Sequence, residues 1–157
     1  MARIVSLRDV KHSLPKKGRG KIVLAGGCFD ILHIGHVRFL SEARRMGDTL
    51  VVLLESDRKV KKLKGEKRPV FNQKERAEML SALRSVDLVV LLPMIEKDGD
   101  YLDLVMKIKP DLIAVTENDL QFENKKSQAK EVGAKLSVVP LIKRYSTSKL
   151  ARILGVE

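Results

Sequence analysis

Five short apolar runs punctuate the chain: 21–26 (KIVLAG), 49–55 (TLVVLLE), 86–92 (VDLVVLL), 111–115 (DLIAV) and 135–139 (KLSVV). Each is built from β-branched or aliphatic residues, the pattern of a strand covered on both faces in a parallel sheet. Amphipathic segments separate them. Ile34, Val37, Leu40, Ala43 and Met46 recur at helical spacing, and Gly47 stands where a C′ glycine belongs. Asn72 with Glu75 forms an N-cap signal ahead of a helix over 73–83. Asp100 precedes the periodic run Tyr101, Leu104, Val105 and Ile108, which Pro110 stops. A further helix near 123–132 ends at Gly133, and a last one, 147–154, follows Ser146. Strands alternating with helices predict right-handed βαβ units and an α/β, doubly wound parallel sheet of about five strands. In such sheets ligands sit beyond the carboxyl ends of the strands, at the point where strand order reverses.

The totals fit one domain over 1–157, with residues 1–20 as an N-terminal extension packing on it. At 44% apolar and 32% charged residues the chain reads as soluble and globular. No apolar run approaches the roughly 20 residues that span a bilayer, and the N-terminus lacks a signal peptide's apolar stretch. A cytoplasmic protein without a membrane partner is expected. Cys28 is the only cysteine, so neither an intramolecular disulfide nor a cysteine metal site is expected. The net charge of +11 suits either an anionic partner or a heat-adapted surface of ion pairs. The lysines are spread and not gathered in a stripe, and there is no Trp, which argues against nucleic acid as the partner.

The loop after the first of the five runs carries the chemistry: Gly26-Gly27-Cys28-Phe29-Asp30-Ile31-Leu32-His33-Ile34-Gly35-His36. Two glycines after a strand let the backbone turn tightly and approach a ligand. His33-x-Gly35-His36 then opens a helix, joining free N–H groups, the positive end of the helix dipole and two imidazoles. Gly35 has no side chain, so a phosphate can lie against its backbone. Ser146-Thr147-Ser148, at the start of the last helix, adds hydroxyls expected at the same sheet edge. Together these residues suit attack by one phosphate on the α-phosphate of an NTP. The nucleophile is already an anion, so the task is neutralising charge in the transition state. Mg²⁺, which prefers oxygen ligands, is the expected cofactor, with no dedicated protein metal site.

At these residues the sequence resembles the HxGH cytidylyltransferase-like nucleotidyltransferases, which have a Rossmann-like fold. Within that superfamily it is similar to the heptose-1-phosphate adenylyltransferases, found alone or as the second domain of ADP-heptose synthases. Four stretches carry the likeness: Arg3–Leu7; the run from Gly27 to Leu40; Lys64-Gly65-Glu66-Lys67-Arg68-Pro69-Val70 leading to Glu75-Arg76; and Tyr145-Ser146-Thr147-Ser148. The resemblance implies that Gly27, Cys28, Phe29, Asp30, His33, Gly35 and His36 line the NTP site. It also implies that Ser146, Thr147 and Ser148 hold the β and γ phosphates. Arg44 occupies a position where relatives carry a phosphate-reaching lysine, so His33, His36 and Arg44 are the expected catalytic residues. Asp57 and Arg76 are further candidates, and the basic segment 59–67 is expected as a loop, either a lid over phosphates or a solvated charge run. A homodimer is implied as well.

The chain departs from the heptose enzymes after the fourth run, where Thr116-Glu117-Asn118-Asp119-Leu120 replaces a Lys-x-Gly-Asp-Tyr-type segment. Glu117 and Asn118 are candidates there for sugar hydroxyls or a base edge. The partners expected are therefore ATP or CTP and a small phosphorylated metabolite, of sugar or polyol type. Glycerol-3-phosphate-type cytidylyltransferases are the alternative, though Leu141-Ile142-Lys143-Arg144 stands where they place Arg and Glu-Gly. An FMN adenylyltransferase and a non-catalytic basic binding module are the other readings. The class I aminoacyl-tRNA synthetases share the tetrad, but 157 residues leave no room for their further domains.

Overall fold

The computed structural model describes residues 1–16, 18, 20–140 and 146–156. The five apolar runs become β2 (Ile22–Gly27), β3 (Thr49–Leu54), β4 (Leu88–Leu91), β5 (Leu112–Thr116) and β6 (Lys135–Val139). A sixth strand, β1 (Arg3–Ser6), comes from the segment expected as an extension. It pairs with β4 at the sheet edge, Val5 opposite Val90. Its signal in the sequence is weak for a physical reason: an edge strand of four residues, three of them exposed, shows no continuous apolar run.

The sheet order is β1-β4-β3-β2-β5-β6, and every neighbouring pair is parallel. Strand order therefore reverses at β2, which has β3 on one side and β5 on the other. The glycine-histidine loop leaves the carboxyl end of that strand. Side chains alternate across β2: Leu24 enters the core with Val105 and Ile113, while Val23 and Ala25 enter the opposite core with Leu40 and Leu80. At the other edge of the sheet, Asp48, Asp87 and Asp111 each accept a strand-start N–H, from Lys21, Leu50 and Ile22, at 2.7 Å.

The helices are α1 (Val10–Ser13), α2 (Ile34–Arg45), α3 (Asp57–Lys64), α4 (Gln73–Ser81), α5 (Asp98–Ile108), α6 (Phe122–Val132) and α7 (Thr147–Ile153). Asn72 and Glu75 close a reciprocal capping box on α4, and Gly133 ends α6 at φ 71°. The basic segment expected as a loop is largely α3. Ser56 Oγ caps it from Lys59 N, Asp57 lies in its first turn and lysines in its last, and Val60 is buried. Gly47 does not end α2 by a left-handed turn; Met46 is its C-cap. A Cβ at Gly47 would lie 2.7 Å from Val23 and 2.9 Å from Lys21 O, so close packing is what requires glycine there.

Candidate active site

A cleft of about 610 Å³ opens where α2 and α7 begin, above the ends of β2, β5 and β6. Gly27, Cys28, Phe29, His33, Gly35 and His36 border it on one side, and Ser146, Thr147 and Ser148 on the other. These expected residues, far apart in the chain, are brought together.

His33 is the N-cap of α2, its Nδ1 accepting from Gly35 N at 3.0 Å. That bond leaves the ring proton on Nε2, which lies 3.3 Å from Thr147 Oγ1. His36, one turn along, stacks on His33 with ring centroids 3.9 Å apart and meets Phe29 edge-on at 5.2 Å. Burial, helped by the neighbouring imidazole, pushes the His36 pKa down to about 3, and burial also lowers that of His33. Both rings are therefore neutral hydrogen-bond donors near pH 7. On α7, Ser146 Oγ accepts from Lys149 N at 3.2 Å, while the N–H groups of Thr147 and Ser148 have no acceptor within the helix. Tyr145 and the 141–144 stretch lie outside the described residues.

The loop turns at Phe29, not at the glycines. Phe29 has φ 44°, whereas Gly26 and Gly27 stay in β2 without positive φ. A left-handed non-glycine residue costs on the order of 1–3 kcal/mol and persists only where its surroundings impose it. Here two buried cations and a carboxylate do so. Asp30 is buried, pairs with Arg68 and accepts from Val70 N at 2.7 Å. Its carboxylate thus braces the loop and does not border the cleft, contrary to the expectation that it lines the NTP site. Arg76, fully buried, donates to Cys28 O, Phe71 O at 3.0 Å, Glu55 O at 2.9 Å and Asp57 Oδ1 at 2.7 Å. Asp57 and Arg76, also candidates, serve the scaffold. Burial pushes the Cys28 thiol pKa up, so Cys28 contributes backbone and bulk, not a thiolate.

Two further expected site residues lie away from the cleft. Arg44 lies at the far end of α2, with Nε 2.9 Å from Asp87 and Nη1 2.6 Å from Gly47 O, among the groups that start β3 and β4. Helix rise separates it from His36 by roughly 12 Å along the axis. Among the described residues, the cations that border the cleft are Arg38, half a turn beyond His36, and Lys64 at the end of α3. Glu117 is exposed and borders no part of the cleft; Thr116 and Asp119 do. Asp119 shapes that loop by accepting from Gln121 N at 2.8 Å and pairing with Lys125 at 2.6 Å. Arg38 lies outside the tetrad and, five residues after His33 and two after His36, shares no same-face helical spacing with either ring, so no local pattern marks it.

The doubly wound parallel sheet thus carries the HxGH helix start at its switch point, beyond β2. The chain belongs to the cytidylyltransferase-like family, whose model matches residues 24–152. It is 37% identical over 150 residues to the bifunctional protein HldE of Campylobacter concisus, covering 96% of this chain and 30% of that one. With the bifunctional protein HldE of Aliarcobacter butzleri the identity is 43% over 137 residues, covering 87% of this chain and 26% of that one. The chain thus spans under a third of the length of these relatives. Among solved structures, a lipopolysaccharide core biosynthesis protein from Thermoplasma volcanium superposes with a TM-score of 0.63 at 29% identity, covering 81% of this chain and 99% of that one. A pantothenate synthetase from Thermus thermophilus shares the fold, with a TM-score of 0.66 at 14% identity over 97% of this chain and 70% of that one. Among the described residues no helix is long and apolar enough to cross a membrane.

Proposed function

We propose that the enzyme transfers AMP or CMP from an NTP to the phosphate of a small sugar or polyol phosphate, releasing pyrophosphate. The acceptor's phosphate oxygen attacks the α-phosphorus, a new P–O bond forms, and the bond to the β-phosphate oxygen breaks. The observation that carries this reading is the pair of stacked imidazoles set beside the hydroxyls of α7 in one cleft. His33 and His36 donate to oxygens on which charge develops, Arg38 and Lys64 supply positive charge, and the hydroxyls and first-turn N–H groups of α7 hold the terminal phosphates. Likeness to the HldE proteins supports a sugar phosphate as acceptor.

Among the described residues no group of three or more His, Cys, Asp or Glu could hold a metal ion. In this reading Mg²⁺ would be held by the triphosphate and not by a protein cluster, and would supply screening of the phosphate charge. The test is pyrophosphate release with Mg²⁺, each NTP in turn, and heptose 1-phosphate, mannose 1-phosphate, glycerol 3-phosphate, FMN and phosphoethanolamine as acceptors. Release with ATP or CTP and a sugar or polyol phosphate is expected. Release with none of them, at saturating nucleotide, would overturn the assignment.

A further inference from the structure

The cleft does not end at β2. On the side of α5 and α6 a second cavity of about 350 Å³ opens, and Gly26, Gly27, Cys28, Lys64 and Asp119 border both spaces. Its apolar wall includes Leu53, Val105 and Ile113, and its polar wall includes Glu55, Tyr101, Asn124 and Gln128.

Glu55 is held in place from three directions. Its backbone carbonyl accepts from Arg76, and its Oε1 accepts from Tyr101 Oη at 2.7 Å. Tyr101 is in turn fixed by Lys59, whose Nζ stands 5.4 Å over the ring and donates to Ile95 O at 2.8 Å. The second oxygen, Glu55 Oε2, is buried and finds no hydrogen-bond partner among the described residues. A buried carboxylate oxygen without a donor is costly, so a donor brought by a ligand is strongly favoured. Burial pushes the Glu55 carboxyl pKa up, while Lys59, Lys125 and Arg76 set positive charge around it, so a neutral donor suits this buried oxygen better than a further cation. A hydroxyl brings the donor without the charge. The amides of Asn124 and Gln128 can both donate to and accept from further hydroxyls, while the apolar wall suits the C–H groups between them.

From this geometry we infer that the second cavity is the acceptor subsite, taking the polyhydroxylated skeleton of a sugar or polyol phosphate, with Glu55 Oε2 accepting one of its hydroxyls. The inference rests on the nucleotidyl-transfer reading for the course of the acceptor phosphate. That phosphate passes over Gly27, beside Lys64, into the first cleft. Glu55, Tyr101 and Asn124 are then residues that set acceptor specificity, and they do not touch the nucleotide.

The test compares wild type with Glu55→Gln, Tyr101→Phe and Asn124→Ala, the last at a half-buried rim position whose side chain otherwise bonds only Gln121 among the described residues. Two readouts are needed: steady-state pyrophosphate release, and binding of heptose 1-phosphate and mannose 1-phosphate by ligand-observed NMR. Glu55→Gln should raise the acceptor KM about tenfold, the loss of a hydrogen bond to a charged group, with the NTP KM unchanged. Asn124→Ala should raise it by about threefold to fivefold. Wild type that binds the sugar phosphates but releases no pyrophosphate would sink the functional reading and leave the subsite standing. Wild type that binds neither sugar phosphate, variants with unchanged acceptor binding, or a preference for phosphoethanolamine would each overturn the subsite.

Discussion

Thr147 Oγ1 and His33 Nε2 lie 3.3 Å apart although 114 positions separate them in the chain. The contact joins the first residue of α7 to the N-cap of α2 and sets the direction of a ring already fixed at Nδ1 by Gly35. Thr147→Val should therefore lower kcat/KM about fivefold, the worth of one neutral hydrogen bond, while Thr147→Ser retains most of the activity. Equal activity in both variants would detach Thr147 from the orientation of His33.

His36 is expected to act mainly in the transition state. Its replacement by Ala should cost about 2.7–4 kcal/mol in activation free energy, seen as a fall in kcat of roughly a hundredfold to a thousandfold. A change confined to KM for the nucleotide would contradict that role.

The same ring makes stability depend on pH. His36 titrates near 3 in the folded chain and near 6.5 when exposed, so between these values the unfolded state binds the extra proton. Stability is fully present above about pH 6.5 and falls as pH drops toward 3. Between pH 7 and pH 5 wild type should lose roughly 1–2 kcal/mol more than His36→Gln in urea unfolding. Parallel curves for the two proteins would show that His36 carries no such burden.

Arg44 and Arg38 give a direct contrast. Arg44 is bound to Asp87 at the opposite sheet edge through a half-exposed pair, so Arg44→Ala should cost only about 0–1 kcal/mol of stability and leave turnover intact. Arg38→Ala should weaken nucleotide binding, read as a raised NTP KM. The opposite result would restore Arg44 to the site.

Asp30→Ala removes the partner of a buried guanidinium and should destabilise the fold by about 3–5 kcal/mol. Because Phe29 holds a left-handed conformation beside it, kcat should fall as well, at temperatures well below the unfolding transition. Retained kcat in the folded fraction would show that Phe29 keeps its conformation without this brace.

The inner strands were legible in the sequence because burial on both faces removes polar alternates, as in Leu50–Leu54, where every residue is buried. The edge strand β1 and the lysine-rich α3 were not, since each buries too little to impose a pattern: only Val60 is buried in α3. In the site, the HxGH tetrad and the Ser-Thr-Ser run could be read locally because their chemistry sits at helix starts. Phe29's backbone, the carbonyls gathered by Arg76 and the Glu55–Tyr101 pair could not. Those rest largely on contacts between residues distant in the chain, such as Tyr101 with Glu55 and Arg76 with Cys28, 46 and 48 positions apart, that have no local motif. Arg44 shares α2 with His36 but lies more than two turns farther along it, so its side chain meets Asp87 at the opposite sheet edge, a distance that residue type alone does not reveal.

Arg76 grips the segments at Cys28, Glu55 and Phe71 through backbone oxygens, which every residue type carries. Side chains at those three positions can therefore be exchanged without loosening the grip, provided the chain path is kept. The architecture separates what must stay constant, one guanidinium and three carbonyls, from what can vary, the groups that meet an acceptor. A protein built this way can change its choice of substrate at residue 55 while its catalytic loop stays where it is.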